Sequence, residues 1–278
     1  MPKLNLGTFE LHYTRAGSAG EPVVLVHDYW GDGRQWEGVV ARLSSTARVL
    51  TYDRRGHGES SAPSGSVALA DQVSDLSTLL SIAGRSAHHV VGTGVGGVIA
   101  LQLALLHPDQ VRSVNVHEPS LLGLLAGVPA HSRVYEEARV RERSVLGHLR
   151  NGDAATAAGE FVEHTASDPG SWSSVPPEIQ ASFVSNAQTT LSELVDPTTE
   201  SMDTSPFLNY REPVVVTSGK RSAPVFADIT DRLCESFYRA MRYAYDGTGH
   251  FPHLTDPDQF VQVVRELVRF AASRSPPD

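Results

Sequence analysis

Gly92-Thr93-Gly94-Val95-Gly96-Gly97 has the frame of a nucleophile elbow, G-x-S-x-G, the strained strand-to-helix turn that lifts a serine above a sheet. The serine position holds Gly94, which has no side chain to attack with. Other residues could still move protons. His250 stands in Gly247-Thr248-Gly249-His250-Phe251-Pro252, and an imidazole that titrates near neutrality suits general acid or base work. Such a base is held in its working orientation by a carboxylate. Glu118, between His117 and Pro119, and Asp28, after His27, are carboxylates that each follow an apolar run.

The elements that must position these groups can be read from periodicity. Val23-Val24-Leu25-Val26 is a continuous apolar run, the pattern of a strand buried on both faces. Further strands are expected at Thr8 to Tyr13, Val49 to Asp53, His88 to Val91, Val111 to Val116, Val214 to Thr217 and Arg242 to Tyr245. Helices are expected near Gln35 to Leu43, Val67 to Ile82, after the elbow (Val98, Ile99, Leu101, Leu103), Val225 to Arg239 and Pro257 to Ala272. This alternation predicts an α/β fold with a doubly wound, mostly parallel sheet. Residues 120–206 break the rhythm with Leu121 to Leu125, a charged helical stretch from Arg133 to Leu149, and Ser/Thr/Pro-rich turns from Asp168 to Pro177. They are expected to form a helical cap inserted into a core domain made of residues 1–119 and 207–278. Ligands of open α/β sheets bind outside the carboxyl ends of the strands. Asp28, Gly94, Glu118 and the His250 loop all fall there.

Together these segments resemble the α/β-hydrolase superfamily, from roughly Thr8 to Ala272. The resemblance rests on His27 to Trp36, Asp53-Arg54-Arg55-Gly56-His57-Gly58-Glu59-Ser60, Gly92 to Gly97, His117-Glu118-Pro119 and Gly247 to Pro252, in that order. It implies that His250 is the general base. Many relatives place the orienting acid after the seventh strand, where Thr217 to Ser222 has none; some branches place it after the sixth, where Glu118 stands. Asp228, within an expected helix, is the weaker candidate, and Arg112 is the alternative partner for Glu118. The family normally has glycine at the position of Asp28, beside the oxyanion-hole N–H groups, here those of Tyr29 and Val95. Asp28 either enters the pocket as a second acid or base, or turns outward to cap its loop. Gly94 also fits an engineered knock-out or a pseudoenzyme, and His57 is expected to be structural. Gly94, Val95, Tyr29, Trp30, Trp172 and Phe251 are the expected substrate contacts. Trp36, Phe183 and Tyr243 are further aromatics, with Trp36 assigned to the core.

A net charge of −9 with 40% hydrophobic residues argues against nucleic acid or an anionic membrane as partner. The single cysteine, Cys234, forms no internal disulfide, and no Cys/His cluster suggests a metal. Met1-Pro2-Lys3-Leu4-Asn5 lacks an apolar signal core, so a cytoplasmic location is expected. No cofactor is expected, since Gly92 to Gly97 is not the dinucleotide G-x-G-x-x-G. The expected function is non-covalent acid–base catalysis by a His250/Glu118 dyad on a small apolar, aromatic or polyketide-like molecule of secondary metabolism. Elimination, cyclisation, isomerisation, carbon–carbon cleavage, addition of water and cofactor-free oxygenation are open to it. The alternatives are hydrolysis, through His250-activated water or carboxylate attack on an ester or epoxide (by Glu118), and a non-catalytic small-molecule binder. A homodimer stays open.

Overall fold

The computed structural model describes residues 2–7, 9–62, 67–84, 86–166 and 170–274. Its strands are β1 (Lys3–Asn5), β2 (Glu10–Ala16), β3 (Glu21–Val26), β4 (Ala47–Tyr52), β5 (His88–Thr93), β6 (Val111–His117), β7 (Val214–Gly219) and β8 (Met241–Tyr245). Among the described residues they make one eight-stranded sheet in the order β1-β2-β4-β3-β5-β6-β7-β8. β1 and β2 are antiparallel; every pairing from β4 onward is parallel. Thr8, the expected start of the second strand, lies outside the described residues, and that strand runs on to Ala16.

Successive residues of a strand face opposite sides, so an apolar run serves two cores at once. Val24, Val26, Val90, Val114 and Val116 join one apolar cluster, with helices α2 (Leu69–Ala83) and α3 (Gly94–Leu106). Val23, Leu25, Val49, Val91 and Val215 join the other, with α1 (Glu37–Leu43) and the terminal helix Pro257–Ala272. The strand–helix junction at the elbow is close. A Cβ at Gly96 would overlap the carbonyl oxygens of Val26 and His27, which is why small residues fill this turn.

Between β6 and β7 the described residues form no strand. They hold α4 (Ser132–Arg150), α5 (Ala154–Ala166), α6 (Ser171–Ser174), α7 (Pro177–Ser185) and α8 (Ala187–Leu194). Asp168, in the expected turn region, lies outside the described residues. Leu121, Leu125, Met202 and Phe207 from this segment pack into the same cluster as the sheet. After β7 comes α9 (Pro224–Glu235), which ends four residues before the Arg239 that its apolar pattern predicts. Phe237 leaves the helix and stacks on Phe207 with ring centroids 4.4 Å apart. The chain ends with α10 (Pro252–Thr255) and α11 (Pro257–Ala272). No helix among the described residues is long and apolar enough to cross a membrane.

Candidate active site

Sheet register brings the site together. Thr93 pairs with His117 and His117 with Thr217, so Gly94 and Glu118 leave the sheet side by side while β7 runs on through Ser218 and Gly219 beside them. Glu118 has φ +43, a left-handed conformation unusual for a residue with a side chain. Its N–H donates to the Thr217 carbonyl (2.9 Å), and its Oε1 accepts the Gly219 N–H (2.7 Å). Those bonds hold a backbone geometry that costs roughly 1–3 kcal/mol.

His250 lies between two carboxylates. Its Nδ1 is 2.6 Å from Glu118 Oε2 and its Nε2 is 3.1 Å from Asp28 Oδ2. All three side chains are buried. Burial alone pushes His250 down, but the hydrogen bonds and charges of Asp28 and Glu118 override it and raise the imidazole to about 9. At neutral pH the ring is therefore an imidazolium that donates at both nitrogens. Burial pushes Asp28 up; the His250 contact and the N–H groups of Val95 and Tyr29 outweigh it and hold the carboxyl below its ordinary range. Burial likewise opposes the shift of Glu118, and His117 and His250 together lower it. Phe226 stacks on the imidazole at 4.7 Å, a favourable face for a cation.

Asp28 points inward. Its Oδ1 accepts the backbone N–H of Tyr29 (2.7 Å) and of Val95 (2.8 Å), the pair expected to form the oxyanion hole. The carboxylate thus occupies the two donors and lies over the elbow. Gly94 has φ +50, and a Cβ built on it would overlap the Asp28 carboxylate. A serine at 94 and an aspartate at 28 cannot share this space as it stands.

His117, Glu118 and His250 offer donor atoms within 4.8 Å of one another, a group to test as a metal site. Two ligands of one tetrahedral ion at about 2.0–2.1 Å each stand roughly 3.3 Å apart. Glu118 and His250 are 2.6 Å apart, a proton's spacing and not an ion's.

A cavity of about 160 Å³ reaches His250, with Tyr29, Val145, Phe161, Val225 and Phe226 among its lining residues. The other expected contacts are placed differently. Trp30, Trp172 and Phe251 belong to the apolar cluster behind this wall: Trp30 lies against Phe161 and Phe183, and Trp172 against Phe183 and Gly159. Large rings there bury more apolar area than the narrow cavity could take from them. Trp36 is core, packed on His253 and Phe260, and Tyr243 is partly exposed beside Tyr245. Asp228 pairs with His131 (2.9 Å), away from His250, and Arg112 lies 3.4 Å from Glu21. Phe161 and Phe226 were not anticipated, because in sequence each reads as one more apolar position of a helix.

The loop after Asp28 is gripped by α7 and α8. Asn186 Nδ2 donates to the Trp30 carbonyl (2.8 Å) and the Gly31 carbonyl (3.0 Å), and Asn186 Oδ1 accepts the Gly58 N–H (3.1 Å). Thr190 Oγ1 accepts the Trp30 N–H (3.1 Å), and Ser182 Oγ donates to the Asp32 carboxylate. Trp30 is held at φ +66.

Residues 21–257 match the family model of the alpha/beta hydrolase fold. A protein of Azorhizobium caulinodans provisionally named carbamate hydrolase RutD is 32% identical over 116 residues, 42% of this chain and 43% of its own. The uncharacterized hydrolase YraK of Bacillus subtilis is 36% identical over 138 residues, 45% of this chain and 48% of its own. The matched stretch thus spans less than half the length of these relatives. Among solved structures, the enol-lactonase of Burkholderia xenovorans LB400 superposes with a TM-score of 0.74 at 19% identity, covering 96% of this chain and 100% of that one, a likeness of fold.

Proposed function

The chain belongs to the α/β-hydrolase family, and from that premise we propose that it is a hydrolase of small apolar molecules in which Asp28, and not a serine on the elbow, attacks the substrate. The observation that carries this reading is the seat of one carboxylate. Asp28 Oδ1 lies on the Tyr29 and Val95 N–H groups while Oδ2 faces the His250 imidazolium. The names of the relatives, a carbamate hydrolase, a hydrolase and an enol-lactonase, support hydrolysis as the reaction class. They do not carry the substrate over. With the oxyanion donors filled by Asp28, a substrate carbonyl oxygen has no seat there, and a saturated electrophilic carbon suits the site better. An epoxide is such a substrate, and the cavity's apolar lining suits a hydrocarbon body.

In the first step Oδ2 attacks an epoxide carbon, the carbon–oxygen bond breaks, and an alkyl ester of Asp28 forms. The opened oxygen takes the proton that His250 carries at rest. Loss of that proton and of the Asp28 charge leaves a neutral imidazole oriented by Glu118. In the second step Nε2 takes a proton from water as the water oxygen bonds to Asp28 Cγ. Negative charge grows on Oδ1, already seated on two backbone donors, each worth roughly 2.7–4 kcal/mol at such a transition state. Collapse expels the diol, which leaves with the proton of the new carboxyl group. Asp28 returns as carboxylate and His250 as imidazolium.

A single turnover in H₂¹⁸O with enzyme in excess tests this on a panel of epoxides and esters. The first diol is expected to carry no label, and the peptide containing Asp28 is expected to gain it. Label appearing directly in the first product would exclude attack by Asp28, and no hydrolysis of any member would exclude the reaction class. A second reading draws on the same filled donors. Asp28 and His250, 3.1 Å apart, would then only relay protons in elimination, cyclisation, isomerisation or cofactor-free oxygenation of an aromatic or polyketide-like molecule. No label would then enter Asp28, and the product of elimination, cyclisation or isomerisation would carry no oxygen from water.

A further inference from the structure

We propose that Glu193, on α8, is a positioning residue for Asp28, acting through Arg54, so that docking of α8 and assembly of the reacting carboxylate are one event. The inference rests on the reading that Asp28 reacts. Arg54 and Glu193 are both buried. Arg54 Nη1 donates to Glu193 Oε1 (2.5 Å) and Gln72 Oε1 (2.5 Å), and Nη2 donates to Glu193 Oε2 (3.1 Å). The remaining donors turn to the loop. Nε reaches the His27 carbonyl (3.1 Å) and Nη2 the Asp28 carbonyl (3.1 Å). A guanidinium has five N–H donors, and each has a partner here. Gln72 Nε2 also donates to Glu193 Oε1 (2.6 Å), which fixes the carboxylate from the core side.

The Asp28 carbonyl is held from a second direction. His27 Nε2 accepts the Arg54 backbone N–H (2.9 Å), so the ring proton sits on Nδ1 and is donated to the Asp28 carbonyl (2.8 Å). Burial, then the charges of Arg54 and His57, keep His27 neutral and preserve this tautomer. The grip matters because a peptide unit is planar. The Asp28 carbonyl and the Tyr29 N–H belong to one unit and point in opposite directions. Fixing the carbonyl therefore aims the Tyr29 N–H at Asp28 Oδ1, where it is one of the two donors that seat the carboxylate. Glu193 hydrogen-bonds neither the Asp28 carboxylate nor His250 directly. It supplies the counter-charge that keeps Arg54 in this pose, and a buried cation without its partner does not stay in place.

The test is amide hydrogen exchange at Tyr29, followed by NMR in the full chain. In E193Q the Tyr29 amide is expected to exchange at least about tenfold faster than in the unmodified protein. In D75N, which breaks the separate Arg55–Asp75 pair (2.6 Å), it is expected to be unchanged. Should E193Q not fold, E193D retains the charge on a shorter stem that cannot span both Nη atoms, and the same rise is expected. A folded E193Q or E193D with unmodified Tyr29 exchange, or an equal rise in D75N, would overturn the proposal. This readout needs no substrate, so a failure of the ¹⁸O experiment and a failure here are separate results.

Discussion

At the scale of single residues, the site turns on an imidazole that two carboxylates keep charged. Its motif made His250 visible in the sequence, and His117-Glu118-Pro119 did the same for Glu118. The direction of Asp28 was not legible. It is decided by the Val95 N–H, 67 positions away, and by the room that Gly94 leaves. The charge state has a kinetic consequence. If the imidazolium supplies the first proton, kcat/KM falls as pH rises through about 9. Asp28 and Glu118 titrate below the ordinary carboxylate range, so activity stays level from neutral into mildly acidic solution. Asp28→Asn removes one of the two groups that raise His250, and an NMR titration of the ring in that variant should show its pKa well below 9. An unchanged titration would mean that Asp28 does not govern the imidazole.

At the scale of elements, periodicity located strands and helices because it reports burial, and the sheet core is built on that alternation. It says nothing of polar residues that serve a second layer. Ser182, Asn186, Thr190 and Glu193 look in sequence like the wet face of a helix. Their spacing of four, four and three residues instead keeps one buried face toward the loops after β3 and β4. Arg54 reads equally well as part of a surface turn. Its burial is visible only once Glu193 is beside it. Asn186→Ala strips partners from the Trp30 and Gly31 carbonyls and from the Gly58 N–H. Unsatisfied buried groups of this kind cost about 1–3 kcal/mol. Urea unfolding should show a loss of that order, with the steepness of the transition unchanged; a loss within 0.5 kcal/mol, the usual surface range, would mean that the grip is slack.

At the scale of the whole molecule, sequence alternation and order of motifs were enough for the α/β sheet and for the edge at which the site sits. What they could not supply is how the buried charges balance. His250 is raised above its ordinary 6.5 on folding, so the stability it contributes is fully present below that value and is lost as pH climbs through about 9. Asp28 and Glu118 are lowered, so theirs is present above the ordinary carboxylate values and is lost as pH falls through the depressed ones. Calorimetry should therefore show Tm declining between pH 7 and 9. In His250→Gln that decline should shrink, and an equal decline in both proteins would place the titrating group elsewhere.

Gly94 and Asp28 fill one another's space, and this shapes the routes open to a changing lineage. A serine arriving first at 94 meets a carboxylate where its side chain must go. A glycine arriving first at 28 empties the anion seat while nothing on the elbow can use it. Neither replacement alone gives this site both a side-chain nucleophile on the elbow and an empty pair of backbone donors. The two positions are therefore coupled by geometry, and a change at either has to be judged by what stands at the other.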